Sequence, residues 1–186
     1  MKRSFILSTL AATLISGAAF ADHHGENPMV GGAEMFPQKN IVENAVNSAD
    51  HTTLVAAVTA AGLVDTLASD GPFTVFAPVN DAFSALPEGT VEALLMPENK
   101  DQLTKILTCH VVGKEVMSEA LKGMIEEDGG KHPVPTLGGC TLQASYGDGK
   151  MMLEDENGTV ATVTIADVDQ SNGVIHVIDT VMLPAM

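Results

Sequence analysis

After its first twenty residues the chain lacks any apolar run approaching the ~20 residues that a helical membrane span requires, so no later segment is expected to insert stably into a bilayer. Cations are scarce too: nine lysines and arginines face 24 acids, for a formal net charge of −15. Such a surface repels duplex nucleic acid. It suits solubility, or attraction to cations and basic partners. There is no serine-centred nucleophile elbow, no phosphate-binding glycine loop and no His-Glu-x-x-His zinc helix. The oxygen-rich stretch from Asp167 to Gly173 is out of step with a calcium loop and lacks its closing Glu, so it reads as a turn.

What is present begins with an export signal. Lys2 and Arg3 precede an apolar stretch from Phe5 to Phe20, and Ala19, Phe20 and Ala21 end it with the small residues a signal peptidase accepts. Residues 1–21 are therefore expected to be a cleaved secretory signal, and the mature chain a periplasmic or secreted protein starting at Asp22. Cleavage removes two cations and no acid, which moves the net charge from −15 to −17. No cysteine stands at the cleavage point to take a lipid. Residues 22–39, with Gly25, Pro28, Gly31, Gly32 and Pro37, read as an extended arm, and 40–186 as one domain, expected to be monomeric. Cys109 and Cys140 are the only cysteines, and an even pair in an oxidising compartment is expected to form a disulfide. On the chain-entropy account that bridge contributes about 3 to 4 kcal/mol.

Helical patterns fill the first half. Asn40 is placed to cap one helix, and Asp50 a second that stops at Gly62. Residues 73–77 read as a buried strand ended by Pro78, with Asn80 or Asp81 capping a helical turn around Phe83. Further helical pieces start at Thr90 and Pro97. After Val112 the pattern turns to β, apart from a short helix around Ser118 to Lys122. Strand-like runs cover 141–146, 151–154, 159–165 and 174–182, separated by the turn pairs Asp148-Gly149, Asn157-Gly158 and Asn172-Gly173. The class is α+β, with helices mainly in the first half.

Two segments carry more: GPFTVFAPVNDAF from Gly71 to Phe83, and GVIHVIDTVMLP from Gly173 to Pro184. With LTCHVV at 107–112 between them, they resemble the motifs of the fasciclin-like domain over roughly 40–184. The resemblance implies a wedge of two β-sheets packed with several helices. It also implies a non-catalytic module of cell-surface or matrix adhesion whose partner is a surface protein or glycan. The family's structural motif positions fall here on Thr74, Phe76, Pro78, Asn80, Phe83, His176 and Asp179. A Tyr-His pair tied to receptor binding in animal members falls on Cys109 and His110, which makes Leu107, His110, Val111 and Val112 candidate binding residues. The Tyr is replaced, and His110 has a second reading as a core histidine bonded toward Asn80 and Asp81. His176, among apolar neighbours, reads as a hydrogen-bonded core residue.

A Cys109–His110 nucleophile is not expected, because strand neighbours point to opposite faces and a disulfide removes the thiolate. No cofactor is expected of the folded domain. The processed amino terminus offers another chemistry. With Asp22 first, the free amine, two backbone amides and the His24 imidazole, beside His23, make a square-planar nitrogen set suited to Cu(II) or Ni(II). On this alternative reading the protein is a periplasmic copper- or nickel-binding protein. Copper titration of the processed chain should show one tight site that His24→Ala abolishes; unchanged binding removes the idea.

Overall fold

A computed structural model describes residues 27–185. The expected signal peptide, 1–21, and the expected metal ligands Asp22, His23 and His24 lie outside the described residues. Strands β1 (Met29–Val30) and β2 (Ala33–Glu34) form a small hairpin. Helices α1 (Ile41–Ala45), α2 (Thr52–Ala61) and α3 (Val64–Ala68) follow, then β3 (Phe73–Pro78), α4 (Asn80–Ser84), α5 (Thr90–Leu94) and α6 (Lys100–Thr108). The rest is β4 (Val111–Val112), α7 (Ser118–Glu127), β5 (Lys131–Pro135), β6 (Thr141–Gly147), β7 (Lys150–Glu154), β8 (Val160–Gln170) and β9 (Gly173–Ile178).

Seven strands run in the order β4-β3-β9-β8-β7-β6-β5. Two half-sheets share β8: its residues 160–162 pair with β7, and 163–170 pair with β9 through register shifts that bend the strand. The α+β wedge that the motifs imply is thus built on one long, bent strand. β3 and β9 pair in parallel, Phe73 opposite Gly173 through Pro78 opposite Ile178. Strand periodicity then divides their side chains between two cores. Val75, Ala77, Ile175 and Val177 join the helical core with Leu54, Val58, Leu67 and Leu107. Phe76 and Ile178 join a second core with Leu121, Leu142, Leu153 and Met182. β9 is buried at every position, as a strand flanked on both edges by partners should be.

Three expectations change. The described part of the arm, 27–39, is not extended: its hairpin carries Val30 and Met35 into the helical core, at 3% and 2% exposure. Asn40 caps helix α1, as read, and Glu43 reciprocates to close a capping box, but Asp50 caps nothing. The N-terminus of α2 is held instead by Asn80, 27 residues away: its Oδ1 accepts from Thr53 N–H at 3.0 Å and its Nδ2 donates to the Ala49 carbonyl at 2.8 Å. Asn80 is therefore the first residue of α4 and not its cap, a position that falls to Val79. Strand β5 went unread because Pro133 and Pro135 lie in it; it is the outermost strand, where a missing N–H breaks no ladder.

Candidate functional site

The motif residues converge where α6 ends. Leu103, Ile106 and Leu107 line the buried face of α6, and Cys109 is its C-cap. Cys109 and His110 thus close a helix and do not belong to a strand. Leu107, His110, Val111 and Val112 are all buried, none above 5% exposure. The segment 136–140 covers them. Leu137 N–H donates to the Val111 carbonyl at 2.8 Å, Gly138 N–H donates to the Thr108 carbonyl at 3.0 Å, and Cys140 is bridged to Cys109 with their Cα atoms 5.4 Å apart. A Cβ on Gly138 would stand 2.7 Å from the Cys109 nitrogen, so this close covering needs a residue without a side chain. The four candidate binding residues present no contact face; they form the floor of a disulfide-fastened corner.

His110 shows how that corner is joined to the rest. Its Nδ1–H donates to the Ile106 carbonyl at 2.8 Å and its Nε2 accepts from Met182 N–H at 3.0 Å. The bond expected toward Asn80 and Asp81 is not formed, since Asn80 is occupied by α2. Two bonds to backbone fix a neutral ring with its proton on Nδ1. Burial pushes its pKa down to about 4, against the opposing pull of the Ile106 carbonyl and Asp155. Asp155 secures the same C-terminal segment: Oδ1 accepts from Asn157 and Thr159 N–H, and Oδ2 from Leu183 N–H at 2.9 Å.

The other motif histidine clasps the connection between β4 and α7. His176 Nδ1 accepts from Asp167 N–H at 3.1 Å and its Nε2–H donates to the Val116 carbonyl at 2.9 Å. Burial lowers its pKa, opposed by the Val116 carbonyl and Asp167. Thr74 in β3 donates to the Lys114 carbonyl at 2.6 Å and accepts from Val116 N–H at 2.8 Å. Phe76 stacks on the His176 ring with centroids 5.7 Å apart. Asp179 is exposed, and its Oδ1 accepts from Thr162 N–H at 2.8 Å. Pro78 ends β3 and Phe83 is buried in α4, so among these positions all serve the fold.

Sequence reasoning missed Asn172 as anything beyond a turn residue. Its Oδ1 accepts from Ile41 N–H at 3.0 Å, and its Nδ2 donates to the carbonyls of Leu67 and Ser69 at 2.8 Å each. One amide thereby joins the β8–β9 turn to two helices more than a hundred positions upstream. His51 was also missed; it is buried at 3% exposure in the helical core. Among the described residues, no three His, Cys, Asp or Glu side chains gather to hold a metal ion, and no helix is long and apolar enough to cross a membrane.

Comparison with known proteins matches this arrangement. A model of the Fasciclin domain fits residues 49–184. Protein sll1483 of Synechocystis sp. is 54% identical over 147 residues, covering 78% of this chain and 74% of that protein. Transforming growth factor-beta-induced protein ig-h3 of Sus scrofa is 36% identical over 131 residues, 70% of this chain but 17% of that larger protein. Among solved structures, a domain pair from the insect cell adhesion molecule Fasciclin I superposes with a TM-score of 0.70 at 20% identity, over 78% of this chain and 51% of that one.

Proposed function

Because the chain belongs to the fasciclin domain family, we propose that it is an exported, non-catalytic binding module that engages a surface protein or glycan outside the cytoplasm. The outward distribution of charge carries this reading. Of the 24 carboxylates only Asp22 and Glu26 lie outside the described residues, and of the remainder only Asp155 is buried. The same region offers seven lysines. The histidine and cysteine chemistry of the motifs is spent on internal bonds, which leaves a strongly acidic exterior as the means of recognition. A surface of one sign steers a partner of the other, and salt weakens that attraction.

The module name of the insect neighbour, a cell adhesion molecule, supports the adhesive sense of that contact. The test is retention of envelope components on immobilised processed protein. A basic protein or cationic glycan should be held at about 50 mM salt and released progressively toward about 0.5 M, where screening shortens to a few ångströms. Retention indifferent to salt, or turnover of a captured component, would overturn the reading.

A further inference from the structure

The helical core is not filled. Between α1, α2 and α3 and the β3–β9 face lies a cavity of about 140 Å³ whose walls include Met35, Leu54, Val58, Leu67, Val75 and Ile175. It reaches the surface between α1 and α2, where Val42 and Val55 are half-buried and Val46 is left 55% exposed. No Asp, Glu, Lys or Arg lines it, although such residues make up 18% of the chain, so an ion entering it would meet no counter-charge.

The three polar side chains of the lining are turned to protein partners. Thr59 Oγ1 donates to the Val55 carbonyl at 2.8 Å, within its own helix. Ser48 Oγ is bonded to His51 Nδ1 at 2.8 Å, and His51 Nε2 is closed off from solvent beside the Ala77 carbonyl. An occupant therefore finds dispersion contacts and no hydrogen bond. Water is not favoured there, since it needs two to four polar partners, whereas an apolar cavity of about this volume stays dry and takes up a molecule the size of benzene. An empty space forfeits the contacts its walls could make, and an apolar occupant recovers them.

We propose that this cavity is a binding site for an uncharged hydrocarbon about one ring in size, taken up past Val46 and held by apolar contact alone. It is separate from the acidic exterior and stands whether or not that surface binds a partner. Toluene and benzyl alcohol make the matched probes, since they differ by one hydroxyl. Titrated into the folded protein, toluene should shift the Val58, Leu67 and Val75 methyl resonances saturably and raise the melting temperature. Benzyl alcohol should bind roughly tenfold more weakly, or worse, because its hydroxyl leaves water and meets no partner inside. Ala45→Leu adds bulk to the lining from α1 and should abolish the toluene shifts. Xenon should compete with toluene in the unaltered protein, which keeps the test independent of that variant's folding. Absence of saturable shifts with toluene, equal affinity for benzyl alcohol, or undiminished toluene binding by folded Ala45→Leu would overturn the proposal. So would Val46 methyl shifts that follow protein concentration with no probe present, since a second copy would then cover the mouth.

Discussion

Gly173→Ala is expected to lower the protein's folding stability by about 4 kcal/mol or more, a large share of the 5 to 15 kcal/mol typical of a domain. Gly173 has φ +150°, a conformation essentially reserved for glycine, and a Cβ there would stand 2.0 Å from the Phe73 carbonyl oxygen. The clash is with backbone, so no rotamer change relieves it. Relief requires β9 to move away from β3, and that pairing separates and supports both cores. Gly158→Ala is the matched control: φ is +82°, yet nothing lies within 4 Å of the added carbon, and the cost should stay near 1 kcal/mol. Urea unfolding of the two variants checks this. Similar midpoints would mean that the β3–β9 contact is softer than the packing shows.

Acidification should produce the second large loss, starting well above the carboxylate range. His110, His176 and His51 all have pKa values lowered by burial. Unfolded, each takes up a proton near pH 6.5; folded, each resists. The unfolded state therefore binds more protons as pH falls, and the stability these rings contribute, complete above about pH 6.5, declines below it. For His110, whose folded pKa is about 4, the decline reaches about 3 kcal/mol by pH 4. The net charge of −15 opposes this, because protonating carboxylates relieves mutual repulsion. The histidine effect wins between pH 6.5 and 5, where the carboxylates stay ionised. Unfolding free energies flat from pH 7.5 to 5 would show that the rings are not locked neutral. Nitrogen NMR of His110 at pH 5 should still report a proton on Nδ1 only.

What could be read in advance, and what could not, divides by the range of the interaction. β3, β9 and the Asp148-Gly149 turn were legible because apolar runs and turn chemistry are local. Asn40 was legible as a helix cap for the same reason, while its reciprocal partner Glu43 went unread. Asn80 was visible as a capping residue, but not its true helix, since nothing nearby in sequence says that α2 passes beside it. The β1–β2 hairpin was hidden because two-residue strands have no measurable period. The corner at Cys109 and His110 was read as strand where α6 ends, and the short β4 begins only at Val111. Its burial could not be read at all, because the segment that covers it comes nearly thirty residues later.

The parallel union of β3 with β9 also sets a schedule. Phe73 meets Gly173 across a hundred residues of intervening chain, so the strand that leaves the ribosome first has no neighbour on that side until nearly everything else has emerged. Loop closure of that length is slow, and contacts that reward it arrive only at the end. The nascent polypeptide stays open through most of its synthesis, with β3 able to pair on one edge alone, and Met182 reaches His110 only in the closing step. For a chain exported unfolded, as we propose for this one, keeping the keystone for last is an advantage.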